Sequence, residues 1–194
     1  MADDQTIVGI DEAGRGPLAG PVYVGLVVTK GSFDFAQFSA LTDSKQMSET
    51  DREEIYDQIL EGDYAKIEYT IRYSTPQVID KQGINPAIRQ AINRGLRNLD
   101  ISKDNTKLLL DGGLSAPAKY RQETITKGDQ KEPIISLASV LAKVARDRYM
   151  RSIDEQYDFE FAQHKGYGTK GHKERIEQYG PTNIHRSSFV NDES

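Results

Sequence analysis

The chain has 194 residues, 37% of them hydrophobic, enough for one well-buried core with a small appended subdomain and too little for two independent domains. It has no cysteine, which excludes disulfides, thiolate nucleophiles and thiolate metal ligands and suits a reducing compartment. The formal net charge of −5 by itself argues against a nucleic-acid partner, but acids lead over residues 34–63 whereas lysine and arginine crowd the last third, from Lys143 to Arg186.

The first six residues lack the basic flank and apolar stretch of a targeting signal. No apolar run approaches the roughly 20 residues that span a bilayer, so a soluble, cytoplasmic protein with no membrane partner is expected. Residues 6–10 form a strand of buried type ending in Asp11-Glu12. A Gly/Pro-rich loop over 13–21 leads to a second strand in which Val22, Val24, Leu26 and Val28 alternate with Tyr23, Gly25 and Val27. Over residues 48–60 an acidic first turn (Glu49, Asp51, Glu53) precedes Ile55, Ile59 and Leu60 at helical spacing, which predicts a capped amphipathic helix. A third strand follows over 66–73. Asn85-Pro86 opens a helix with Ile88, Ala91, Ile92 and Leu96 on one face, and residues 107–110 read as a buried strand that stops at Asp111-Gly112-Gly113.

A short strand near 124–126 meets the turn Lys127-Gly128-Asp129. Pro133 then suits the first position of a helix with the core stripe Leu137, Val140, Leu141 and Val144. From Tyr157 onward the chain is Gly-rich and basic, with one short helix over 170–178. Alternating strands and helices imply an α/β sheet covered on both faces, as one domain over 1–156 with a small extension over 157–194 packed on it.

Three carboxylate sites lie at the ends of apolar runs: Asp11-Glu12, Asp111 and Asp129. In α/β sheets ligand sites gather at strand ends, so these acids can converge on one pocket. Clustered like charges need protons or cations to neutralise them, and an all-oxygen set favours Mg²⁺ or Mn²⁺ over zinc. Such ions carry positive charge to a polyanion, which reconciles an acidic chain with a nucleic-acid substrate. Singly, each acid reads as an ordinary cap or turn residue.

Gly14, Gly16 and Gly20 allow close backbone approach to a ligand, but their spacing fits neither the dinucleotide fingerprint nor a P-loop. Ser136, Ser139, Lys143 and Arg146 recur at three- and four-residue steps as a polar line, ordinarily a solvated face, and Lys143 with Asp147 has the spacing of an i,i+4 ion pair. Tyr167 stands between glycines in a basic segment, where its ring can stack on a base or sugar. All three histidines (164, 172, 185) lie in the tail at spacings that fit no familiar zinc pattern.

Taken together and in order, these stretches closely resemble the bacterial ribonuclease HII family, nearly end to end: Ile10-Asp-Glu-Ala-Gly-Arg-Gly-Pro17, Asp43-Ser-Lys45, Asp111-Gly112, Lys127-Gly-Asp129, Ala138-Ser139, Leu141-Ala-Lys143, Arg146-Asp147, His164-Lys-Gly-Tyr-Gly-Thr169, Gly180-Pro181, His185-Arg186 and Ser188-Phe189. The resemblance implies a ribonuclease H-like fold, a mixed five-stranded sheet flanked by helices with a small helical C-terminal part. It implies that Asp11, Glu12, Asp111 and Asp129 bind two Mg²⁺ or Mn²⁺ ions, one activating water and the other stabilising the leaving 3′ oxygen.

By the same resemblance, Gly14, Arg15 and Gly16 read the ribose 2′-OH through their backbone and Tyr167 packs on the following deoxyribose. Lys45, Ser139, Lys143 and Arg146 would contact phosphates, with Asp147 left structural. The expected substrates are RNA/DNA hybrids and duplex DNA with embedded ribonucleotides, cut 5′ of the ribonucleotide by a monomer to leave 3′-hydroxyl and 5′-phosphate ends. Gln46 and Leu137 depart from the usual pattern, outside the acidic set. Two rival readings are a binding module that has lost catalysis, which predicts a broken carboxylate set, and a phosphatase or DNA nuclease, which leaves Tyr167 and the glycine loop without a role.

Overall fold

The computed structural model describes residues 5–38, 41, 47–62, 64 and 66–192. Five strands, β1 (Thr6–Ala13), β2 (Val22–Lys30), β3 (Ile67–Ser74), β4 (Thr106–Asp111) and β5 (Arg121–Ile125), form one mixed sheet in the order β3-β2-β1-β4-β5. The first three pair antiparallel, whereas β1, β4 and β5 run parallel, so the carboxyl ends of those three open on the same edge. The register Ile10↔Leu110 sets Asp11 level with Asp111.

Helices cover both faces. Val8, Ile10, Leu26, Leu108 and Leu110 pack with Ile79 of α2 (Pro76–Gln82) and Ile88, Ala91 and Ile92 of α3 (Ile84–Asn98). The opposite face holds Val27 and Leu109 against Ile55 and Ile59 of α1 (Glu49–Glu61) and Ile135, Leu137 and Leu141 of α4 (Pro133–Ser152). Asp11 and Asp111 alternate onto this second face, two residues beyond Gly9 and Leu109. Close packing of α4 depends on absent side chains: a Cβ at Gly9 would lie 2.5 Å from the Ile134 carbonyl oxygen, and one at Gly25 would lie 2.2 Å from that of Ala138.

Local signals explain most boundaries. Ser48 accepts from the Asp51 amide while the Asp51 carboxylate accepts from the Ser48 amide, the reciprocal cap expected for α1. Two expectations need correction. The first strand continues through Asp11 and Glu12 to Ala13, because β2 keeps pairing with it as far as Ala13↔Tyr23. The helix α2 was not expected, although Thr75-Pro76 carries its start signal, a hydroxyl cap followed by proline at the first helical position.

Beyond α4, α5 (Phe161–His164) and α6 (Lys170–Tyr179) fold back at the end of that helix, where Phe159, Phe161 and Ile184 share a small core with Ala19 and Met150, whereas α7 (Ser187–Asp192) is tied to Asp80 of α2 through the amides of Ser187 and Ser188. The charge asymmetry of the chain is resolved by pairing. Arg148 bonds Glu53 and Asp57, Arg151 bonds Glu49 and Glu53, and Arg175 bonds Asp158 and Glu160, so much of the basic last third neutralises acids. Among the described residues no helix is long and apolar enough to cross a membrane.

Candidate active site

At the shared carboxyl edge of β1, β4 and β5, Asp11 is 5% exposed and lies beside Glu12 and Asp111. Burial drives its pKa well above the usual carboxylate value, and the neighbouring Glu12 and Asp111 charges add to the rise; hydrogen bonds from Ser139 of α4 and from the Glu12 amide oppose it. Asp111 is oriented by the Gly128 amide, 2.6 Å from its Oδ1, which ties the end of β4 to the turn that carries Asp129. Glu12 accepts from Arg15 Nε at 2.8 Å, and the same guanidinium donates to Asn85 Oδ1 at 2.6 Å at the start of α3.

A cleft of about 360 Å³ opens over this edge, lined by Glu12, Gly14, Arg15, Gly16, Asp129, Ser139, Lys143 and Tyr167 among others. Four chain segments far apart in sequence thus bring eight of the expected residues to one surface, with Asp11 and Asp111 beside it. Lys143 reaches the cleft while its ammonium pairs with Asp147 at 2.8 Å, the i,i+4 pair that the spacing allows. Arg52 of α1 also lines the cleft, and nothing in its helical pattern marks it. Lys45, with the rest of the Asp43-Ser-Lys45 motif, lies outside the described residues.

Arg146 departs from the phosphate contact expected of it. It is fully buried, and it donates to the carbonyls of Pro21, Ala19 and Lys165 at 3.0, 3.2 and 2.9 Å. The polar line on α4 is therefore no solvated face: Ser136 and Arg146 are buried, the latter beneath the glycine loop. Arg186, equally buried, donates to the carbonyls of Gly20, Arg15 and Gly14 at 2.9, 2.9 and 2.6 Å. With its carbonyls turned inward onto two guanidiniums, the loop has a fixed shape. Arg186 stands in the basic last third and in the His185-Arg186 motif, and the pattern of apolar residues gives no sign that it is buried.

The three histidines, distant in sequence, meet in the small C-terminal core. His164 stacks on His172 with centroids 4.4 Å apart, and the Nε2 atoms of His172 and His185 lie 3.0 Å apart. Burial lowers both His172 and His185 to about 4. An unfolded chain takes up these protons near pH 6.5 and the folded one only near 4, so their contribution to stability is full above about 6.5 and falls as pH drops towards 4. Thermal melts between pH 7 and 4.5 are expected to show a falling Tm, with a flatter slope for a His172→Gln/His185→Gln variant; equal slopes would refute this origin.

Comparison with known proteins identifies first the fold and then the family. The ribonuclease H2 of Pyrococcus horikoshii OT3 superposes with a TM-score of 0.74 over 96% of each chain at 24% identity. A ribonuclease HIII, solved as the Bst protein in complex with Mn²⁺, gives 0.75 over 100% of this chain and 70% of that one at 16% identity. The fold is therefore ribonuclease H-like, as the sequence implied. The family model for ribonuclease HII matches residues 8–192. A ribonuclease HII of Coxiella burnetii (strain Dugway 5J108-111) is 43% identical over 184 residues, which are 94% of this chain and 87% of that protein. The chain belongs to the ribonuclease HII family, and with that to the ribonuclease hydrolases that act on RNA/DNA hybrids.

Proposed function

We propose that the chain is an endoribonuclease that cuts the RNA strand of hybrids and also cuts duplex DNA on the 5′ side of a single embedded ribonucleotide, leaving 3′-hydroxyl and 5′-phosphate ends. The observation that carries this reading is one cleft in which the acidic edge of the sheet, the Gly14–Gly16 loop and Tyr167 face the same substrate path. Asp11, Glu12, Asp111 and Asp129 would hold Mg²⁺ or Mn²⁺. The donors fit a hard cation: they are all oxygen, and buried Asp11 suffers a repulsion from Glu12 and Asp111 that a divalent ion relieves. Among the described residues no group of three acids or histidines is arranged to hold an ion as the side chains stand, so holding one would require these carboxylates to approach one another. When bound, two ions supply an activated water and charge stabilisation at the leaving 3′ oxygen.

The remaining roles belong to the chain itself. Ser139 and the Gly128 amide hold Asp11 and Asp111 by hydrogen bonds at the carboxyl edge beside the cleft. The backbone of Gly14, Arg15 and Gly16, anchored from below, offers fixed groups to the 2′-OH, the one atom that separates RNA from DNA at a given residue. Tyr167, 44% exposed, offers its ring to the next deoxyribose. Lys143, Ser139 and Lys45 would meet phosphates, whereas Arg146 supports the loop. A single chain supplies every one of these groups, which supports action as a monomer.

The test is cleavage of an end-labelled DNA duplex containing one ribonucleotide, beside an all-DNA duplex. With Mg²⁺ or Mn²⁺ a single cut 5′ of the ribonucleotide is expected, abolished by EDTA and restored by added metal; equal cutting of the control would refute the reading. Tyr167→Ala should lower cleavage at the single ribonucleotide by about tenfold more than cleavage of a long hybrid, in line with the ~1–3 kcal/mol of aromatic stacking on nucleic acid.

A further inference from the structure

His172 and His185, 0% and 3% exposed, form a hydrogen-bonded chain whose direction is fixed at both ends. The Thr182 amide donates to His185 Nδ1 at 3.0 Å, with the Thr182 hydroxyl also 3.0 Å away, so the His185 proton is on Nε2. That proton is donated to His172 Nε2 at 3.0 Å, which leaves the His172 proton on Nδ1, and His172 donates it to the Tyr167 carbonyl at 2.9 Å. A second proton on either ring would set two N–H groups face to face. The stacked His164 is also fixed: its Nδ1 accepts from the Gly166 amide at 3.1 Å, and its Nε2 donates to the Phe159 carbonyl at 2.6 Å.

The two ends of this chain are the two arms of the cleft. His185 forms a β-bridge with Ala19 of the glycine loop, flanked by the bonds from Gly20 N to Ile184 O and from Arg186 N to Leu18 O, each 2.8 Å. At the other end Tyr167 has its amide on His164 O at 2.9 Å and its carbonyl shared by His172 and the Thr169 amide. Gly166, at φ +82°, passes so close to Ala19 that a Cβ there would lie 2.4 Å from the Ala19 oxygen.

We propose that His172 and His185 are positioning residues whose hydrogen-bonded pair sets the place of Tyr167 relative to the Gly14–Gly16 loop, and so sets the preference for an RNA–DNA junction over a continuous hybrid. The proposal rests on the assignment of Tyr167 to the deoxyribose that follows the ribonucleotide. The imidazoles touch no reacting atom; they act through the backbone on either side of the cleft.

Two substitutions at one position separate the two bonds. Asn places its amide nitrogen where Nδ1 stood and retains the donor to Tyr167; Gln reaches the Nε2 position, keeps His185 and loses Tyr167. The readout is the ratio of kcat/KM on a duplex with one ribonucleotide to that on a long hybrid, measured with Mg²⁺ for the wild type, His172→Asn, His172→Gln and Tyr167→Ala. The expected result is a ratio lowered about tenfold by His172→Gln and by His172→Asn, as by Tyr167→Ala, because each substitution breaks one of the two bonds in series; an unchanged ratio in either overturns the proposal.

If Tyr167→Ala lowers the ratio and His172→Gln does not, or if His172→Gln lowers both activities equally, the proposal is overturned while the reading of Tyr167 stands. If Tyr167→Ala leaves the ratio unchanged, that reading fails and the proposal falls with it. Long-range ¹H–¹⁵N spectra of the wild-type protein test the pair without any variant: Nδ1–H on His172 and Nε2–H on His185 are expected, and any other pairing of tautomers overturns the proposal.

Discussion

Asp11→Asn should lower hybrid cleavage with Mg²⁺ by at least about 1000-fold, because it removes a charged oxygen from the proposed ion site, where each lost 1.4 kcal/mol of transition-state stabilisation is about tenfold in rate. The same change should leave the protein as stable as before, or more so. Asp11 is buried and its pKa lies above the ordinary carboxylate value, through burial first and then through Glu12 and Asp111. A carboxyl whose folded pKa is raised favours the fold while protonated and loses that contribution as pH rises, so at pH 7 its charge works against folding. Asparagine resembles the neutral form and can still accept from the Glu12 amide that now lies 2.7 Å from Oδ1. Single-turnover cleavage and thermal melts at pH 7 check both halves. Full activity would refute the ligand role, and a Tm lowered by many degrees would refute the electrostatic account.

Gly14→Ala and Gly16→Ala are expected to part company, although the two glycines belong to one motif. Gly14 has φ +91°, and a Cβ there would lie 2.0 Å from Nε of Arg146, a guanidinium fixed by three carbonyls. Left-handed strain of about 1–3 kcal/mol and overpacking of about 1–3 kcal/mol both fall on Gly14→Ala. At about 2–4 °C per kcal/mol for a chain of this size, its Tm should fall by about 10 °C. Gly16 has an ordinary φ and nothing within 4 Å of its Cβ position. Gly16→Ala should therefore melt like the wild type and lose activity only where the methyl group meets the substrate. Melting curves decide this, and equal losses of stability at both positions would refute the packing argument.

Much of the site was legible in the sequence because backbone direction and strand length are local. Apolar runs that stop at Asp11, Asp111 and the Lys127-Gly-Asp129 turn announce acids at strand ends, and only parallel pairing of β1, β4 and β5 is then needed to bring them to one edge. The cap at Ser48 and the proline at Pro133 mark helix starts by the same local chemistry. The end of β1 was misjudged because charge usually signals a strand's exit, whereas here ladder bonds to β2 carry the strand past two carboxylates.

The residues alone, with the family they resemble, made legible the sheet, the acids at its strand ends, the glycine loop and Tyr167 as candidate site elements. Which cations face solvent and which lie inside emerges only from the packed chain. Arg146 shares helical spacing with Lys143, and no periodicity distinguishes a guanidinium that binds phosphate from one that binds three carbonyls of a folded loop. The pairing of Arg148 and Arg151 of α4 with α1 and the meeting of three histidines are likewise products of chain closure. Such contacts join residues on separate elements of the chain, and their energies depend on burial and orientation, quantities that exist only once the layers have packed.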